Sequence, residues 1–264
     1  DGYRLPDSKQ GVTDYFYELD GAELSGRYAR LKGLGIGLKL YNVFWHNLES
    51  SGLASAERPI PCPAGYSLTP RDEAERRAQG FHRFRCVNDR ELAKWDRLFA
   101  ADRAAGFQTG AVLWSSPPVY RYPGCNGFPW DGQMMKDGCV PRDDAMADFE
   151  DYINLLAVRY GGGPRGKIAH YIVWNEAAQG GWFDYSPVVD TRSPAPTGPE
   201  AGRWIAKYAA MMRRAHEALA RHVTGVQLYA SLDPQWEPPP FDGVSHIGGR
   251  RLLNGLWEAL GVAI

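Results

Sequence analysis

The sequence predicts an α/β fold in which parallel strands alternate with helices. Three observations predict it. Short apolar runs alternate with amphipathic stretches along the 264 residues, and unbroken strand–helix–strand repetition means parallel pairing with right-handed crossovers. The long segments, 50–87, 115–142 and 177–200 with a shorter one at 234–248, all follow strands and precede helices. The returns from helix to strand are short: Gly33–Gly35, Gly106, Gly161–Lys167 and Thr224–Gly225. The elaboration therefore collects at the C-terminal ends of the strands, where barrels and doubly wound sheets both build their sites.

In chain order, a first strand is expected within 12–19, followed by a helix over 21–34 that ends at a glycine. IGLKLYNVFW (36–45) is a short apolar run with a glycine-punctuated start, the pattern of a buried strand. Residues 50–87, rich in Pro, Ser and Arg, read as irregular. The helix at 88–106 is capped by Asn88 and stopped by Gly106, with Leu92, Trp95, Leu98 and Phe99 on one face. FQTGAVLW (107–114) is the next strand. A helix over 143–161 spaces Phe149, Ile153, Leu156 and Tyr160 along one stripe. The segment 168–175 is strand, 203–223 helix and 226–232 strand, which Pro234 ends. A helix at 249–261 and a strand stub at 262–264 complete the pattern. No internal linker or repeat divides the chain, so residues 1–264 form one domain unit.

With 30 basic and 31 acidic residues the net charge is −1. Nothing in that balance points to nucleic acid or an anionic membrane as partner, and no apolar run reaches the roughly 18–20 residues of a membrane span. The chain begins Asp-Gly-Tyr, without an initiator Met or a signal pattern, as expected of an exported protein whose signal has been removed. Cys62, Cys86, Cys125 and Cys139 allow three pairings. Cys62–Cys86 and Cys125–Cys139 are favoured because each staples one long insertion. Their spacing does not suit zinc. Disulfides imply a secreted, extracellular or lumenal protein.

The candidate chemistry lies at strand ends. HYIVWNEAAQGGWF (170–183) sets Asn175 and Glu176 where an apolar strand finishes, beside Trp174 and Trp182. Trp45, Trp114, Trp182 and Trp236 are candidate platforms for sugar rings, since an indole offers an apolar face and an N–H handle. His46, Asn47 and Glu49 end the second strand, with Glu49 equally readable as an ion-pair partner. Asp233 and Glu237 follow the fifth. The Gly161–Lys167 segment imitates a phosphate loop, but Ile168 replaces the final Ser or Thr and the helix-to-strand order is reversed. His216 and His222 point to different faces of their helix and form no metal pair.

VWNE at a strand end resembles the fourth-strand signature of clan A glycoside hydrolases. LKGLGIGLKLYNVFWHNLESSG, DRAAGFQTGAVLWSSPPVY and LAVRYGGGPRGKIAHYIVWNE resemble the second, third and fourth strand regions of the family that holds β-xylosidases, iduronidases and exopolysaccharide hydrolases. The likeness spans about residues 21–233. It implies a (β/α)8 TIM barrel, of which this chain supplies the first five to six strands, and a retaining mechanism. Glu176 is then the general acid/base, with its pKa raised toward neutrality. Asn175 binds the sugar 2-hydroxyl, and His46, Asn47, Asp233 and the tryptophans contact substrate. The nucleophile is expected on a seventh strand, about 5–5.5 Å from Glu176, carried by a second polypeptide or a C-terminal remainder. Ala177 stands where the family often has Pro. No metal or organic cofactor is expected. The alternative is a carbohydrate-binding or structural barrel that has lost hydrolysis. A doubly wound nucleotide-binding sheet would need a glycine-rich strand-to-helix turn, which the sequence lacks.

Overall fold

The computed structural model describes residues 11–13, 21–49, 53–125, 127–130, 133–191, 196–232, 236–238 and 245–261. Five strands form the main sheet: β1 (Gly11–Thr13), β2 (Leu38–Phe44), β5 (Gln108–Trp114), β8 (Ile168–Val173) and β9 (Leu228–Ala230). All four pairings are parallel, and the spatial order β1-β2-β5-β8-β9 is the chain order. A doubly wound sheet reverses direction at a switch point; this one does not, so its right-handed crossovers stack their helices on one face. The result is a singly wound parallel α/β sheet with the strand order of a (β/α)8 barrel.

The crossover helices are α1 (Gly21–Gly33), α4 (Asp89–Ala104), α5 (Met146–Tyr160), α6 (Gly198–Ala220) and α7 (Gly249–Leu260). The Asn88 side chain accepts from the amides of Arg90 and Glu91, and Gly106, at φ 73°, turns the chain out of α4 toward β5. Helix α6 begins five residues before the expected 203. Thr197 and Glu200 form a reciprocal capping box there, satisfying donors that the hydrophobic pattern does not register. The expected strand at 262–264 lies outside the described residues, as does 14–19 of the first.

Register sorts the side chains into two layers. Tyr41, Ala111 and Tyr171 lie side by side, as do Val43, Leu113 and Val173; all are buried beneath the helices. On the other face Asn42, Val112, Ile172 and Tyr229 share a row, and Phe44 pairs with Trp114. That face is partly open: Leu40, Phe44 and Ile172 are half-buried and Tyr229 is 43% exposed, while Val112 and Trp114 are buried. Beneath the helix layer, buried Asp102 of α4 gathers Lys39 Nζ (2.9 Å), Tyr41 OH (3.0 Å), Thr109 Oγ1 (3.0 Å) and Tyr28 OH, tying β2 and β5 to α1 and α4.

The insertion at 50–87 is not irregular, as the sequence suggested. It holds a hairpin of β3 (Tyr66–Thr69) and β4 (Arg85–Asn88) around α3 (Glu73–Ala78). The insertion at 115–142 likewise holds a hairpin, β6 (Phe128–Trp130) and β7 (Gln133–Met135). Cys62–Cys86 and Cys125–Cys139 are disulfide-bonded, the pairing favoured from the sequence, with Cα separations of 5.4 and 6.1 Å. Such bonds persist in oxidising compartments. No described helix is long and apolar enough to cross a membrane.

Candidate active site

The three non-glycine residues with positive φ among the described residues all sit at the C-terminal ends of β5 and β8: Ser115 (66°), Trp174 (64°) and Glu176 (41°). Each adopts a conformation that costs roughly 1–3 kcal/mol, and such residues cluster at functional sites. Trp174 leaves the strand at this bend. Its amide still bonds the Leu113 carbonyl (2.9 Å) and its Nε1 donates to the Trp182 carbonyl (2.5 Å). Asn175 and Glu176 follow, both half-buried. The Glu176 amide donates to Ser231 Oγ (2.9 Å) and the Ala177 amide to the Ser231 carbonyl (3.1 Å), which fixes this turn against the end of β9.

Trp114 points to the face away from the helices, edge-on to Trp182 (5.3 Å between centroids) and tilted against Phe44 (5.1 Å). It is 4% exposed, and among the described residues its Nε1 and the Oγ of neighbouring Ser116 are buried with no hydrogen-bond partner. A buried donor without a partner costs roughly 1–3 kcal/mol.

His46 lies at the end of β2 against Phe44 (5.5 Å). Its Nδ1 is 2.6 Å from Ser115 Oγ, which donates to Asp137 Oδ1 at 2.8 Å. Burial lowers the His46 pKa below its usual 6.5; Asp137 opposes that shift and Arg121 adds to it. The imidazole is therefore neutral at pH 7. Neither Ser115 nor Asp137 figured among the sequence candidates. Ser-Ser-Pro-Pro after a strand end was the only signal for the first, and Asp137 reaches the mouth from the distant end of its loop.

Trp45 is a correction. It is fully buried at the start of a short helix, α2 (Trp45–Leu48), sandwiched between Tyr120 (5.0 Å, 14°) and Tyr152 (5.3 Å, 10°) in the helix layer. It offers no face to a sugar, because Tyr41, Val43 and residue 45 share the outward side of the strand. Its Nε1 donates to Glu49 Oε1 (2.7 Å). Glu49 takes the ion-pair role: it is buried and bonded to Arg85 Nη1 (2.6 Å), while Arg85 Nη2 reaches Asp151 (2.6 Å) and Asp148 (3.5 Å). Burial pushes the Glu49 and Asp151 carboxyls up, with Arg85 opposing in both. Asn47 lines a separate surface groove with Asn88, Arg90 and Lys94. Trp236, 52% exposed, stands in the segment before α7, where its carbonyl accepts from the Arg250 amide. Glu237 pairs with Arg250 at 2.7 Å. Asp233 lies outside the described residues.

The loops that frame the mouth are joined to each other. The Asp184 amide donates to the Gly138 carbonyl (2.8 Å) and the Val140 amide to the Asp184 carbonyl (3.1 Å). The buried Asp184 carboxylate collects the Gly127 and Ser186 amides and Thr191 Oγ1, each at 2.9 Å. It adjoins Cys125 and Cys139, but those sulfurs form a disulfide, so the cluster is structural.

No family's sequence profile matches the chain, and no curated protein does. Solved structures do. Fpglu1 from Fervidobacterium pennivoraus aligns over 93% of this chain and 46% of its own, at 11% identity and a TM-score of 0.52. The family 1 b-glucosidase from Thermotoga maritima aligns over 84% of this chain and 39% of its own, at 12% identity and 0.47. The AHE enzyme from Alicyclobacillus herbarius gives 84%, 38%, 15% and 0.47. The chain thus spans less than half the length of these three structures. What the described residues have in common with Fpglu1 is the fold, an α/β arrangement around a parallel sheet.

Proposed function

We propose that this chain is the acid/base half of a retaining glycoside hydrolase. It is of the kind found among β-xylosidases, iduronidases and exopolysaccharide hydrolases, and it acts outside the cell on a polysaccharide or glycoconjugate. The observation that carries the reading is the strained Trp174–Glu176 turn at the end of β8, beside the Trp114–Trp182 pair. Glu176 protonates the leaving glycosidic oxygen and then draws a proton from water. Asn175 holds the sugar 2-hydroxyl. Trp182 gives the ring an apolar wall, with Trp114 packed edge-on behind it. The nucleophile belongs to the remaining strands, whether supplied by a second polypeptide or by a C-terminal remainder, which also cover the face away from the helices. Mass measurement of the native and the denatured assembly identifies the source of those strands.

The test is Glu176→Gln in the assembled barrel. Loss of the proton donor lowers turnover by roughly 10²–10⁴-fold on glycosides with poor leaving groups and spares those whose leaving group needs no proton. Equal turnover of a natural glycan by parent and variant removes Glu176 from the mechanism. A parent that binds glycan and never turns it over points instead to the carbohydrate-binding alternative.

A further inference from the structure

The loop after β5 returns to the mouth at Asp137, and its position there is fixed from two sides. Two residues on, Cys139 is bonded to Cys125. Between them Gly138 packs so tightly that a Cβ would stand 2.1 Å from the Gly181 carbonyl oxygen. Asp137 is therefore held against the turn that carries Trp182. Its Oδ1 accepts the Ser115 hydroxyl at 2.8 Å. A hydroxyl has one proton. With that proton committed to Asp137, Ser115 Oγ can only accept at its 2.6 Å contact with His46 Nδ1. The neutral imidazole must then carry its proton on Nδ1, leaving Nε2 as a bare acceptor, and Nε2 has no hydrogen-bond partner among the described residues.

We propose that Asp137 is a positioning residue: acting through Ser115, it holds His46 in the Nδ1–H form, so that Nε2 accepts a hydrogen bond from a sugar hydroxyl at the mouth. The second half of this statement rests on the glycosidase reading; the first does not. Free imidazole favours the Nε2–H form, so the relay reverses an intrinsic preference, and the reversal can be observed without any substrate. Removing Asp137 frees the Ser115 hydroxyl to donate to Nδ1, which sends the ring proton to Nε2. Asparagine keeps an acceptor oxygen at the same place and preserves the relay.

The experiment is two-bond ¹H–¹⁵N spectroscopy of the His46 ring in the parent, Asp137→Ala and Asp137→Asn, with the Cys125–Cys139 bond confirmed intact in each. The Nδ1–H pattern is expected in the parent and Asp137→Asn, and the Nε2–H pattern in Asp137→Ala. An Nε2–H parent, or an Asp137→Ala ring that stays Nδ1–H, overturns the relay. In the assembled enzyme the same Asp137→Ala change is expected to raise KM about tenfold, the worth of one ordinary hydrogen bond, with Asp137→Asn close to the parent. A switched tautomer with an unchanged KM overturns the role of Nε2 as acceptor. Failure of the glycosidase reading itself shows separately, as Glu176→Gln activity equal to the parent's.

Discussion

Glu150→Gln tests how the helix layer is held together. Glu150 is a buried carboxylate of α5 that receives Arg214 Nη1 of α6 (2.8 Å), Arg221 Nη2, and His82 Nε2 of the first insertion (3.1 Å). Burial alone would raise its pKa, but the hydrogen bonds from His82 and Arg221, with a smaller one from Arg214, outweigh burial and hold it at about 2 against an ordinary 4.5. At about 1.36 kcal/mol per pH unit that gap is worth about 3.4 kcal/mol. The cationic side chains are 45%, 35% and 40% exposed, so water screens them, and about 2 kcal/mol is the discounted figure. The folded pKa is depressed, so the contribution is fully present above 4.5 and is lost as pH falls through about 2. His82 has the opposite sign: Glu150 raises its pKa above 6.5, against burial, so its share is present below 6.5 and fades as pH climbs through the raised value. Urea denaturation is therefore expected to show the variant about 2 kcal/mol less stable than the parent near pH 5.5, and nearly equal to it near pH 2. An equal deficit at both pH values refutes the electrostatic account and leaves only lost packing.

Other perturbations have equally definite outcomes. Arg85→Met leaves Glu49, Asp148 and Asp151 buried without their shared cation; it is expected to cost about 3–5 kcal/mol by denaturation at neutral pH. Part of that loss returns in acid as the carboxyls take up protons. Gly138→Ala drives a methyl into the Gly181 carbonyl. A loss of about 1–3 kcal/mol and a changed Trp182 fluorescence are expected, and an unchanged spectrum would mean that the loops are not locked together. Replacing both Cys62 and Cys86 with serine opens a loop of 24 residues. About 3 kcal/mol of stability is expected to go, with proteolysis moving into the hairpin of β3 and β4.

The main strands and crossover helices were legible because each is a local pattern: an apolar run, a stripe at helical spacing, a cap, a glycine stop. The disulfides were legible because each closes within one insertion. The hairpins inside the insertions were not. Their strands are three or four residues long, and Tyr66–Thr69 shows no in–out alternation in its burial, so periodicity has nothing to count. Proximity to a strand end misdirects at Trp45, where the alternation that sends Tyr41 and Val43 toward the helices is the better guide. The carboxylates around Arg85 come from β2's end and α5, Arg85 itself comes from the first insertion, and only tertiary packing unites them. His46 was picked out from its place in the chain. The Ser115–Asp137 relay that sets its protonation was not, because Asp137 is brought back by a fold of the loop with no local signature.

Because every strand of the main sheet lies next to its predecessor in the chain, the architecture suits assembly during synthesis. Each strand that leaves the ribosome finds the edge it needs already laid down, and only short-range closure is required to add it. The two cystines join residues 24 and 14 positions apart, so both can form before β9 exists. A growing chain of this kind advances one crossover at a time.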